Sequence, residues 1–196
     1  RTAFSPTLSA AWLMSNETFM KNVSWIDFLK LRASWGIVNI DRIPGEGYWE
    51  SVFTGGGSYP LGSNYQSYSG WQEGRLASYN STHEKATKYN IGLDASLFKG
   101  LNLTIDGYYQ RRSNIWVTSD GKNSDVVGID HPYINGGIVD SYGFEFGTQY
   151  NKEIAKDLKL MAGVNYTLAK NKIKEEYEEP RAYSYLERTG QSVSQI

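Results

Sequence analysis

From Leu101 to Gln110 apolar and polar side chains alternate without a break, Leu101, Leu103, Ile105, Gly107 and Tyr109 against Asn102, Thr104, Asp106, Tyr108 and Gln110. Successive side chains of an extended strand point to opposite faces, so this segment is a ribbon with one greasy and one wet side. The pattern recurs along the chain. Leu29, Leu31, Ala33, Trp35 and Ile37 oppose Lys30, Arg32, Ser34 and Gly36, and Tyr89, Ile91, Leu93, Ala95 and Leu97 oppose Lys88, Asn90, Gly92, Asp94 and Ser96. Tyr142, Phe144, Phe146 and Tyr150 oppose Ser141, Gly143, Glu145, Gly147 and Gln149, and Leu158 to Leu168 alternate with Lys159, Met161, Gly163, Asn165 and Thr167. A first segment fits less cleanly, with Phe4, Leu8, Ala10 and Trp12 on its apolar side. Repeated ten-residue ribbons of this kind are the signature of a transmembrane β-barrel.

Composition is compatible with that reading. Mean hydropathy is −0.51 and no run of 18 apolar residues exists, so no transmembrane helix is present. A barrel strand needs only half its residues to be apolar, because the other half faces a polar interior. Aromatic residues make up 14% of the chain, enough for interfacial girdles or a sugar-binding surface. With no cysteine, disulfides, thiolate metal sites and cysteine nucleophiles are excluded. A net charge of −1 gives no electrostatic footprint for nucleic acid.

The connections alternate in length. Only Phe98, Lys99 and Gly100 separate two ribbons, and a short charged stretch of about seven residues separates Tyr150 from Leu158, whereas Asn39 to Thr87, Thr118 to Gly136 and the segment from Lys174 are long. Outer-membrane barrels carry short periplasmic turns and long external loops, which assigns the long segments to the exterior. The stretch Ser15 to Phe28 is the exception, a connection on the short-turn side that is long enough for a short helix. The fold expected is all-β, an antiparallel up-and-down meander with strands near 4–14, 29–38, 87–98, 101–117, 137–151 and 157–172. Six such strands leave two edges, and the sheet is open if alone, since closure alone satisfies edge strands in lipid.

The blocks FSPTLSAAW, FMKNVSWIDFLKLRASWGI, KYNIGLDASLFKGLNLTIDGYY, NGGIVDSYGFEF, NYTLAKNKI and RTGQSVSQI resemble, in order and spacing, the SusC/RagA-like TonB-linked outer-membrane transporters. The chain departs from the family pattern at Val38, Asn39 and Ile40, at His83 and Glu84, and at Asp140 and Ser141, mostly at loop margins. The resemblance implies a parent barrel of roughly 22 strands with an N-terminal plug. It also implies a segment that engages TonB and a SusD-like surface lipoprotein lid. Residues 1–196 then correspond to an interior slice of six to seven strands without the plug, lodged in outer-membrane lipid of a Gram-negative bacterium of the Bacteroidota. Nutrients too large for porins, oligosaccharides or peptides, are the implied substrates.

Within that frame Arg32, Asp94, Asp106 and Glu145, on the polar ribbon faces, are candidates for lining the lumen. The aromatics Tyr48, Trp49, Tyr59, Tyr65, Tyr68 and Trp71 crowd the long segment and are candidates for contact with substrate or lid, because their rings stack on sugars while their tips stay hydrated. No enzymatic activity, cofactor or metal is expected. His83 and His131 lie in different predicted loops and lack the spacing that presents two imidazoles to one zinc. Asp120, Asn123 and Asp125 lack the spacing and terminal Glu of a calcium loop, and Ser113, Ser141 and Ser192 have no nucleophile-elbow context. A soluble, aromatic-rich β-sandwich that binds glycan is the alternative from another class, but its outward faces should be polar.

Overall fold

The computed structural model describes residues 2–124, 126, 128–156 and 158–194. Among these residues eight strands follow one another: β1 (Thr7–Leu13), β2 (Ile26–Ile40), β3 (Phe53–Leu61), β4 (Gln66–Glu73), β5 (Glu84–Leu97), β6 (Leu101–Thr118), β7 (Tyr133–Ala155) and β8 (Leu158–Glu175). Six form one sheet in the order β1-β2-β5-β6-β7-β8, and β3 and β4 form a separate hairpin. Cross-strand contacts fix the direction of each pair. Thr7 faces Gly36 while Leu13 faces Lys30 in β1–β2. Arg32 meets Asp94 and Asp27 accepts from the Lys99 amide at β2–β5, and Ser96 meets Asn102 while Tyr89 meets Tyr109 at β5–β6. Arg111 meets Asp140 while Asn151 donates to Gly100 at β6–β7. At β7–β8 Gly143 approaches Leu168 while Gly147 approaches Asn165, and in every pair the two residue numbers run in opposite senses, so the sheet is an antiparallel meander. Its terminal strands β1 and β8 are not neighbours, so the sheet is not closed.

Alternation decides the faces. In the β1–β2 register Leu8, Ala10 and Trp12 lie opposite Trp35, Ala33 and Leu31, while Thr7, Ser9 and Ala11 lie opposite Gly36, Ser34 and Arg32. The apolar face is not covered: Leu8 is 70%, Ile91 58% and Val164 61% exposed. Among the described residues only Ala86, Ala95 and Ile173 are buried apolar side chains. A water-soluble sheet hides its greasy face. The sandwich alternative fails on this point, since the only other sheet among the described residues is the two-stranded hairpin and the apolar residues remain open.

The chain divides into two compact units. The first, residues 2–39, 85–112 and 139–172, holds most of the six-stranded ladder and its short turns. Phe98 and Lys99 both take positive φ, 51° and 54°, with the Gly100 amide donating to Leu97 O at 3.2 Å. This is the turn whose twist matches flanking strands, although neither residue is glycine. Its strain is offset locally: Phe98 stacks on Trp25 at 5.7 Å, its amide donates to Trp25 O at 2.9 Å, and the Lys99 amide donates to Asp27 Oδ2 at 2.6 Å. The Ser15 to Phe28 connection contains two single 3-10 turns, Met14–Asn16 and Thr18–Met20, pinned by the Trp12 indole donating to Glu17 Oε1 at 2.9 Å.

The second unit, residues 40–84, 113–138 and 173–194, holds the long connections. Backbone and side chain stitch them together: the Leu76 amide donates to Asp130 O, Ser78 Oγ to Tyr133 O, the Trp116 indole to Arg42 O and the Gly121 amide to Tyr177 O.

Two expectations need correction. The stretch Asn39 to Thr87 is not a plain loop, because the β3–β4 hairpin stands inside it. The charged residues after Tyr150 are not a seven-residue turn, because β7 continues to Ala155 and β8 begins at Leu158. Backbone pairing there overrides the charge that reads as a turn.

Candidate functional site

Among the described residues, the polar face of the sheet carries one organised charge cluster. Arg32 on β2 donates from Nε to Asp94 Oδ2 at 2.8 Å and from Nη2 to Asp94 Oδ1 at 3.1 Å, and Nη2 also reaches Asp106 Oδ2 on β6 at 2.8 Å. The guanidinium thus bridges three strands and must pass over β5. Gly92 makes room: a Cβ there would stand 2.6 Å from Asp106 Oδ1 and 2.7 Å from Arg32 Cζ. The fork geometry of arginine suits two carboxylates at once, which a lysine could not match. Glu145 on β7 lies opposite Asp106, in the register that sets Arg111 against Asp140 and Asn151 against Gly100, and shares a polar concavity with Asn102, Thr104, Asp106, Asn165 and Thr167. Three of the four expected polar-face residues are therefore one assembly, and the fourth stands apart from the ion pairs.

The aromatic candidates fall into two groups. Tyr48 is half-buried and structural: its ring meets Trp49 at 5.0 Å and Trp116 at 5.1 Å, and its carbonyl accepts from the Ser78 amide at 2.8 Å. The others are exposed, Tyr65 80% and Trp71 77%. Tyr59 and Tyr68 lie directly opposite one another and share a face of the hairpin, whereas Trp71 pairs with Gly55 on the other face. A register shift between Gly55 and Ser58 marks a bulge, and the positive φ of Gly57 (57°) fits it. Tyr65 sits in the turn with φ 53°. Of the 21 residues from Phe53 to Glu73 only Glu73 is charged, and tyrosine, serine and glycine dominate. Rigid aromatic rings among small hydrogen-bonding residues are the composition of antibody recognition loops.

After β8 the chain is fastened by a carboxylate. Glu178 accepts from the amides of Arg188 at 2.9 Å and Thr189 at 2.7 Å, and Arg188 also pairs with Glu176 at 2.8 Å. Burial pushes the Glu178 carboxyl upward, but the Arg188 and Thr189 amides, the Thr189 side chain and the charge of Arg181 together hold it below its usual range. A group whose pKa falls on folding stabilises above its unfolded value and loses that contribution as pH falls through the folded one. The protection of the Arg188 and Thr189 amides against hydrogen exchange, relative to the intrinsic rate at each pH, should therefore be high at neutral pH and fall as the solution is acidified below the usual Glu range. Glu178→Gln should remove the pH dependence and weaken the fastening by about 1–2 kcal/mol.

Among the described residues, neither histidine joins a cluster of ligands. His83 Nδ1 lies 3.7 Å from Asp41 Oδ1, and His131 is buried with its carbonyl accepting from Arg75 at 2.5 Å. Asp120 accepts from Thr118 and Asn123 donates to Ser119 Oγ, while Asp125 lies outside the described residues.

A sheet with one face open and apolar and the other polar and ion-paired is built to divide hydrocarbon from water. Residues 1–195 match the sequence model of the TonB dependent receptor-like, β-barrel family, and the chain belongs to that family of outer-membrane barrels. It is similar to the TonB-dependent receptor SusC of Bacteroides thetaiotaomicron, 28% identical over 177 residues that make up 86% of this chain and 17% of SusC. A TonB-dependent receptor of Formosa agariphila is 28% identical over 170 residues, again 17% of its length. The chain thus spans about a sixth of these curated relatives. The fold is similar to that of the RagAB peptide importer in its closed-closed state, with TM-score 0.68 and 19% identity over 89% of this chain and 18% of that one. The open-open state gives TM-score 0.69 over 87% of this chain and 18% of that one.

Proposed function

We propose that this chain is a section of the wall of a TonB-dependent outer-membrane importer that takes up nutrients such as oligosaccharides or peptides. The observation that carries the proposal is the two-sided sheet, with Leu8, Ile91 and Val164 open on the apolar face and the Arg32–Asp94–Asp106 assembly on the polar one. In a barrel the first face meets lipid and the second lines the lumen, where Glu145 adds a further carboxylate. Energy coupling through TonB and a lid of the SusD-like lipoprotein type belong to the complete assembly. In this role the chain contributes wall and external recognition surface rather than catalytic groups, and it needs no cofactor.

Recognition falls to the exposed hairpin and to Trp49, which precedes it in the same long connection. Uptake by a complete receptor carrying this sequence should drop when Trp71, Tyr65 or Trp49 is replaced singly by Ala, with ligand affinity about three- to tenfold weaker for each ring that stacks on ligand. Tyr48→Ala should instead loosen the long connections themselves, lowering expression as well as binding. Normal insertion combined with parental import in all three exposed-ring variants would remove the hairpin from the recognition surface.

A further inference from the structure

The apolar face carries a pattern that lipid-facing hydrophobicity alone does not require. Leu8 faces Trp35 in the β1–β2 register, and Trp35 and Tyr89 line one concavity of about 640 Å³ with Leu8, Ala33, Ile91 and Tyr109. Tyr89 and Tyr109 rings lie 6.2 Å apart. Because Arg111 faces Asp140, two residues back along β6 and two forward along β7 place Tyr109 opposite Tyr142. Four adjacent strands therefore present an aromatic ring at one level, Trp35, Tyr89, Tyr109 and Tyr142. From Tyr89 to Leu97 the face is apolar, about 27 Å along the strand and about 20 Å of height at a tilt near 40°, close to the ~25 Å apolar band of such barrels.

Just past the aromatic row, on the same face, the charge changes. Arg111, half-exposed and bound to the buried Asp140 at 2.8 Å, is the next residue of that face on β6. Asn165 lies against Gly147, and this register carries Lys170 opposite Tyr142 and Lys172 opposite Asp140. Both lysines are exposed, and they alternate with half-buried Asn171 and buried Ile173. Cations thus cap the aromatic row at its β7–β8 side, and the single carboxylate among them, Asp140, is already paired.

We propose that this edge seats the phosphate-bearing headgroup of an outer-membrane lipid, with Lys170, Lys172 and Arg111 facing phosphate, the tyrosine hydroxyls at the level of the headgroup and an acyl chain in the apolar concavity. The proposal rests on the chain being barrel wall. Charge complementarity selects lipid over a second protein: three cations at the end of an apolar band, directly behind a row of interfacial rings, match the depth profile of a phosphorylated lipid. The aromatic level lies toward the strand ends that lead into the long connections, which places the seat in the outer leaflet.

The test uses the complete receptor purified in detergent, with its affinity for phosphorylated lipid A, dephosphorylated lipid A and inorganic phosphate measured for the parent and for Lys170→Gln/Lys172→Gln. The parent should bind phosphorylated lipid A in preference to the other two. The double variant should bind it about thirtyfold more weakly, roughly fivefold per lysine, with unchanged affinity for the dephosphorylated form. Equal binding of both lipids by the parent, or an unaltered double variant, overturns the headgroup seat. Binding of inorganic phosphate as tight as that of lipid overturns it in favour of an ion site. A receptor that fails to migrate as a folded, heat-modifiable barrel instead counts against the wall reading, so the two failures are distinguishable.

Discussion

Val164→Arg is expected to cost the assembled receptor about 2–4 kcal/mol, because it places a charge on the apolar face near the middle of the hydrocarbon band. Val164 is 61% exposed in the chain, so the penalty comes from lipid and not from crowding. The contrast is Thr167→Arg, also exposed but on the opposite face of β8, where the polar concavity around Glu145 admits a cation. Urea titration of folding into lipid vesicles should separate the two by at least the lower end of that range. Equal penalties would mean that the faces have been assigned the wrong way round.

Arg32→Ala should be the most damaging single change on the polar face. It leaves Asp94 and Asp106 turned toward one vacated space without their shared cation. Their side chains are 28% and 17% exposed, so the expected loss of about 2–3 kcal/mol falls between that of a surface pair and that of a buried one. Removing a carboxylate as well, in Arg32→Ala/Asp106→Ala, should recover part of the loss in a double-mutant cycle. Gly92→Val tests the same assembly from below, since its Cβ displaces the guanidinium while every charge stays in the sequence. A Gly92→Val receptor as stable as the parent would show that the three-strand bridge contributes nothing to folding.

Much of this was written in the alternation. The period of two located all six ladder strands and assigned Arg32, Asp94 and Asp106 to one face, because face membership is a local property of each strand. That these three meet, and that Gly92 clears the path, depends on the register between β2, β5 and β6, which no single strand encodes. The hairpin was hidden for a different reason. Three consecutive glycines and Pro60 in β3 argue against a strand, and only the turn-forming run Gly62, Ser63 and Asn64 between two Ser-Tyr pairs hinted at it. β3 tolerates both features because the hairpin has no third strand to demand the missing donors and side chains.

The aromatic candidates divide along the same line. Composition could flag Tyr48 and Trp71 equally, yet Tyr48 is a strut between Trp49 and Trp116 and Trp71 stands free of the loop packing. Neither Glu178's grip on the amides of residues ten and eleven positions later nor the cations beyond Tyr142 had a sequence signal of its own. One is a loop closure and the other a register effect across β7 and β8.

β2 and β5 are direct neighbours in the ladder, although the segment 41–83 separates them in sequence. The ladder therefore does not register how long that segment is or what it contains. Closing a longer loop adds only about 0.6 kcal/mol for each doubling of its length. Descendants of this gene could lengthen, shorten or rewrite the hairpin while every barrel hydrogen bond is inherited intact. The connection can diversify at this point in the meander while the registers of the strands on either side stay as they are.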